Sequence, residues 1–399
     1  LTGYVCVGEA MHTHPADTPI ETDEALNCFL DSVLTTVTRT IYPELDLNIH
    51  ENAQYDQAQL LDLLTHISLD GAFANSGAKT RRLRDGDRSV VRNDRRSPVA
   101  KALGYHLRDL DPSEIQTQFD DVLDRIRHRA TQARLLTGAV DLAIDEHAWL
   151  FYGDDETEMT TNTDPSQGTD RAFTFLTACV VSGEFRLTVG VEPLGPETDI
   201  GKALVRLLGP VTTWLDIRRV FLDRGFYEVR ALQTLEAFDL EYVVRARRFP
   251  SLASGPVETT VETGYEMSRS RPPYTTVTLT RFAVPHAHHP EDKQTYFVTN
   301  MPVTEASAEG LAESYRRRWG IETSYRVIGD FLAKTTSKSF AIRLYYFLFA
   351  VALYDIWVLT NVLLSVVFDE AQRDRPLIPS RVFARLLEKA VRPPTPPPR

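Results

Sequence analysis

The feature that most constrains this chain is a change of rhythm at residue 137. Upstream, apolar residues recur at helical spacing: Leu60, Leu61, Leu64 and Ile67 over 55–68, then Ile115, Phe119, Val122, Leu123 and Ile126 over 112–136. Downstream, 139–145 alternates, with Val140, Leu142 and Ile144 on one face and Asp141 and Asp145 on the other. From there to residue 245 the pattern predicts a strand, a hairpin, a helix, a strand, a helix and a strand. The hairpin pairs 172–181 with 185–191 around Ser182, Gly183 and Glu184. A helix at 198–213 leads to a strand at 219–222, which ends at Asp223. This order suits an α/β fold, a mixed sheet covered by helices with its chemistry at strand ends.

The rest of the chain is arranged around that block. Residues 248–295, rich in Gly, Pro and Thr, read as a β-rich insertion ahead of a strand at 295–299 and the helix bearing Glu322. The apolar run 340–368 is long enough to span a bilayer, yet Arg343, Asp355 and Asn361 interrupt it. It reads as a buried helix closing the α/β core, with no membrane partner. Residues 1–20 are polar and aperiodic, and Thr22, Asp23, Glu24 and Ala25 open a helix to about residue 40. Residues 21–136 form a predicted helical domain. Its basic face combines the arginine-dense segment 79–101 with Arg125, Arg127, Arg129 and Arg134. The predicted domains are a disordered 1–20, this helical domain, an α/β domain over 137–368 and a proline-rich tail over 369–399.

Composition qualifies the choice of partner. A net charge of −11 argues by itself against a nucleic-acid binder, but lysine is scarce and nearly all positive charge is arginine. Such a chain looks adapted to a high-salt cytosol. Cys6, Cys28 and Cys179 form no CxxC pair, which excludes a zinc ribbon or a disulfide framework and fits a reducing compartment. The first residues lack the pattern of a secretory signal, so a cytoplasmic protein is expected.

Asp145, Asp223 and Glu322 offer three carboxylates from separate elements. That set suits two hard divalent cations ~3.5–4 Å apart, with oxygen ligands and substrate phosphates completing their shells. Asp141 shares a strand face with Asp145 and is the alternative first ligand. At ~100° per residue, Tyr315, Arg318, Glu322 and Arg326 fall on one helical face. Guanidinium forks there match phosphate oxygens. The run His286, His288 and His289 lacks cysteines or a helical metal frame and reads as loop. His147 reads as a polar strand-end residue within reach of the site, and Trp319 as packing or as a platform for an unpaired base.

Asp145, Asp223 within LDRGFY, and the stretch YRRRWGIE resemble the DDE-type insertion-sequence transposases, which have an RNase H-like core. One subgroup carries Y-x2-R-x3-E-x6-K, and Tyr315, Arg318 and Glu322 match its first three positions. The lysine position falls on Gly329, leaving Lys334 or Arg326 to supply the charge. The wording WGIETSYR and KTTSKS is similar to haloarchaeal transposases. The resemblance implies an RNase H-like mixed sheet with a β-rich insertion and an N-terminal helical DNA-binding domain. It implies metal-dependent DNA strand cleavage and strand transfer, with Asp145, Asp223 and Glu322 holding Mg2+ or Mn2+, two ions in all. Tyr315, Arg318, Arg326 and Lys334 become DNA contacts, terminal inverted repeats and target DNA the partners, and a homodimer the form that pairs two ends. The competing readings are an inactive relic that binds DNA, an RNase H-like nuclease, and a membrane-associated protein resting on 340–368 alone.

Overall fold

A computed structural model of the chain describes residues 41–84, 98–153, 157–181, 185–249, 252, 257–367 and 376–390. The expected helix at 22–40, most of the arginine-dense segment, the hairpin turn at 182–184 and the proline-rich end lie outside the described residues. Contacts divide the chain into two units, Leu1–Ala133 with Val327–Arg399, and Arg134–Arg326.

The first unit is helical: α1 Gln57–Leu69, α2 Ala74–Arg84, α3 Ala100–Arg108, α4 Pro112–Gln132, α9 Phe340–Val367 and α10 Ser380–Ala390. Asp56 starts α1 by capping Gln59, whose side chain returns the bond, and Asp111 with Pro112 starts α4. Helix α9 is long and apolar enough to cross a membrane, but 78% of its most apolar window is buried inside the protein. It packs on α4 and α3, where Tyr345 meets Phe119 edge to face at 5.0 Å. The sequence pattern sets this helix against the α/β core. A helix apolar all round needs cover on every side, and here the cover comes from the helical unit's own members. Helix α10 lies within the expected tail 369–399 and rests on α1.

The second unit is a nine-stranded mixed sheet flanked by helices. Its strands are β1 Val140–Phe151, β2 Thr161–Ser166, β3 Thr169–Val180, β4 Leu187–Leu194, β5 Ile217–Leu222, β6 Tyr242–Arg245, β7 Thr260–Ser268, β8 Thr276–His286 and β9 His289–Thr299. They follow the order β2-β3-β1-β5-β6-β9-β8-β7, with β4 also on β3. Strands β1, β5 and β6 are parallel, while β1–β3 and β3–β4 are antiparallel. This is the RNase H-like arrangement. Helices α5 Ile200–Thr212 and α6 Val229–Ala237 make the parallel crossovers, and α7 Glu305–Tyr315 and α8 Trp319–Phe331 follow the last strand. Tyr315, Ile321 and Tyr325 from that last pair pack over Ala143, Cys179, Phe221, Val243, Phe282 and Phe297 of the sheet. The boundary between the two units falls inside α8.

Three differences from the sequence reading bear on the site. Strand β1 does not stop at Asp145 but continues to Phe151, because the residues beyond it go on pairing with β3. Asp145 is still a strand end in one respect: Ile144 opposite Leu222 is the last pair that β1 makes with β5. The segment between β1 and β3 contributes a further strand, β2, which the sequence pattern does not mark. The β-rich insertion is not set apart from the sheet either. Its strands join through β9, which pairs with β6 at Val243, Val244 and Arg245.

Candidate active site

The arrangement starts with two strand ends. Asp145 is half-buried, and its Oδ1 accepts the Glu146 N–H at 3.0 Å. Asp223 directly follows β5 and caps the short 3-10 turn Arg224–Phe226, accepting the Gly225 N–H at 2.7 Å. A Cβ at position 225 would lie 3.0 Å from that same carboxylate oxygen, so the bare glycine of the DRG sequence allows the close approach.

The third acid comes from the helical segment above. The spacing of Tyr315, Arg318, Glu322 and Arg326 predicts a single helix. Instead α7 ends at Tyr315, a 3-10 turn Arg316–Arg318 follows, and α8 begins at Trp319. The break aims two consecutive arginines at β1. The buried Arg318 guanidinium donates to Asp145 Oδ2 at 2.8 Å and to Glu322 Oε1 at 2.7 Å. One cation thus holds two carboxylates together. Desolvation pushes the Asp145 carboxyl up to about 6; Arg318 opposes the rise, and Asp223 and Glu322 add to it. Glu146, beside it, is also raised, by desolvation and then by Asp223 and Asp145.

Asp141, the alternative ligand, stands in different surroundings. It is fully buried and accepts Arg218 Nε and Nη2 at 2.7 and 2.6 Å, together with Arg317 Nη1 at 2.8 Å. Both its oxygens are committed to guanidinium groups.

Tyr315, expected to contact DNA, is 4% exposed, and its hydroxyl donates to the Leu222 carbonyl at 3.0 Å. Its ring packs edge to face on Phe297 and Phe221, and burial pushes its hydroxyl up to about 12. In that placement the hydroxyl is spent on backbone and the ring on core. Arg326 is exposed. Lys334 belongs to the helical unit, exposed, with its backbone N–H on Ala72 O. Gly329, at the signature's lysine position, has open space where a side chain would begin. Trp319 is 59% exposed, so it is not a core residue. His147 packs against Tyr325 with ring centres 4.7 Å apart, and burial lowers it to about 4, which keeps it neutral at pH 7.

Two groups escaped the sequence reading. Tyr325 donates its hydroxyl to the Asp145 carbonyl at 3.0 Å and meets Thr177 Oγ1 at 2.7 Å. Its position one turn after Glu322 was the available signal. The second group is a cavity of about 370 Å³ lined by Asp223, Arg224, Arg245, Arg247, Arg248 and Arg318. Its signal was the run RARR that begins on the last residue of β6. A neighbouring cavity of about 650 Å³ has Trp319 and the hairpin-tip His286 and His288 in its lining.

The donor set is wholly carboxylate oxygen with excess negative charge, which fits a hard divalent cation. Among the described residues, the triple whose ligand atoms lie within 4.8 Å of one another is His66, Asp70 and Glu388, in the helical unit. The site carboxylates stand wider than that, with Arg318 bridging two of them.

Fold and site together define an RNase H-like protein with an acidic centre. Residues 137–353, just over half of the chain, match the family described as the transposase DDE domain, and the chain belongs to that family. No curated protein matches. Among solved structures, the fold is shared with the piggyBac transposase synaptic complex with hairpin DNA, determined by cryo-EM. That likeness has a TM-score of 0.50 at 16% identity and covers 92% of this chain and 79% of that one.

Proposed function

We propose that the chain is an active transposase that binds the terminal inverted repeats of an insertion sequence and cleaves and transfers DNA strands. The observation that carries this reading is the meeting of Asp145, Asp223 and Glu322, from β1, β5 and α8, around Arg318 and beside a cavity lined by arginines. The carboxylates would hold Mg2+ or Mn2+, which supplies an activated attacking oxygen and charge relief for the leaving one. Asp223 is fixed by the Gly225 amide, and Arg318 keeps Asp145 and Glu322 in register. Arg224, Arg245, Arg247 and Arg248 offer forks for backbone phosphates on the Asp223 side. The paired state of Asp141 supports Asp145 as the first ligand. The solved relative's DNA complex supports DNA as the partner, and the basic helical domain at 21–136 is the proposed reader of the repeats. A homodimer would pair two ends. The lysine-poor, acidic composition supports a salt-adapted source.

The test is cleavage of a labelled duplex carrying the element's own ends, with Mg2+ or Mn2+, wild type beside Glu322→Gln. Nicking at the repeat boundary, lost in the variant, is the expected result. End binding with no nicking by wild type would favour a DNA-binding relic.

A further inference from the structure

We infer that Tyr315 and Tyr325 are positioning residues that set the spacing of the three carboxylates, an inference that rests on the proposed function. Tyr315, the last residue of α7, donates to the carbonyl of Leu222, immediately before Asp223. Tyr325, within α8, donates to the carbonyl of Asp145 itself. With that proton committed, Thr177 Oγ1 on β3 donates in turn to the Tyr325 oxygen. Ile144 and Leu222 form the last pair between β1 and β5. The two hydroxyls therefore attach where the ladder between the aspartate strands runs out. A carbonyl oxygen has two lone pairs, so each of these two can take a tyrosine hydroxyl beside its strand pairing.

Glu322 lies between these two pins, one turn before Tyr325. The α7–α8 segment is thus fastened to the Asp145 strand by one hydroxyl and to the Asp223 strand by the other. Glu322 cannot shift against either aspartate without breaking one of the bonds. The rings pack on Phe221, Phe297 and His147, contacts that a phenylalanine would keep. The hydroxyls, not the rings, carry the tyrosines' share of the pinning, beside the Arg318 bridge between Asp145 and Glu322.

Tyr325→Phe and Tyr315→Phe remove the pins and keep the packing. Tyr242→Phe is the control, since it deletes another buried tyrosine hydroxyl bond, to Glu236, in the same unit. The readouts are Mn2+ affinity of the full-length protein by titration calorimetry and the Mn2+ concentration giving half-maximal nicking. Each pin variant should weaken both by roughly three- to tenfold, the double variant by more, with metal-free DNA binding unchanged. Tyr242→Phe should lower only the melting temperature. Wild-type Mn2+ affinity in both pin variants, with only the melting temperature lowered, overturns the inference and leaves the tyrosines as packing. Asp145→Asn and Glu322→Gln, titrated alongside, keep the two claims apart. If they lose Mn2+ and the pin variants do not, only the inference falls. If they bind Mn2+ as wild type does, the proposed metal role falls and takes the inference with it.

Discussion

Asp141 and Asp145 lie on the same face of one strand, and both meet arginines from the turn between α7 and α8. Asp141 is fully buried and accepts three bonds from Arg218 and Arg317. Asp145 accepts one guanidinium bond, from Arg318, and shares that cation with Glu322. Asp223 then adds further negative charge, and the Asp145 carboxyl rises to about 6. A buried carboxylate whose charge is fully matched serves as an internal tie. One whose neighbourhood holds more acid than base has unmet demand for a cation. Residue type and strand face are the same in the two cases; the local balance of charge separates them.

The sharpest way to break this comparison is by substitution at both positions. Asp145→Ala should take metal-dependent nicking below detection, as should Glu322→Gln, while the melting temperature stays within a few degrees of wild type. Asp141→Ala should act through the fold, costing toward 3 kcal/mol in denaturant unfolding. That is the low end of the ~3–5 kcal/mol for breaking a buried pair, since Arg218 and Arg317 remain half in solvent. An Asp141 variant that folds normally but cannot nick would reverse the assignment.

Acidity gives a smaller, graded effect. Asp145 ionises at 3.8 in the ordinary state and near 6 when folded, so the folded protein holds that proton more tightly. Its contribution to stability is full below 3.8 and is lost as pH rises through about 6. Cation binding runs the other way, because it needs the carboxylate. Nicking should therefore fall as pH drops through about 6, and thermal melts of Asp145→Asn should lack the matching loss of stability. The smallest effect belongs to Arg317→Ala: with Arg317 half exposed and Arg218 still holding both oxygens, about 1 kcal/mol or less is expected in denaturant melts.

Of the three carboxylates proposed as ligands, two carry a local marker in the sequence. Asp223 closes an apolar strand ahead of Arg-Gly, and Glu322 lies one turn from Arg318. The continuation of β1 was not legible, since Glu146 and His147 interrupt an apolar pattern that only pairing with β3 carries on. Nor could spacing on an ideal helix show Tyr315 turning inward, because the 3-10 turn after it resets the faces. The junction of β9 with β6 joins segments some fifty residues apart, and no short window contains it. Helix α10 was hidden by the prolines around it, although Phe383 and Leu387 mark its buried side.

That junction has a mechanical consequence. Hydrogen bonds run without a gap from β7 across β8, β9, β6 and β5 to β1. The inserted strands are therefore a cantilever built into the sheet and not a flap on a hinge. Load taken up along β7 and β8 passes rung by rung through β9 and β6 to β5, whose last residue is the neighbour of Asp223.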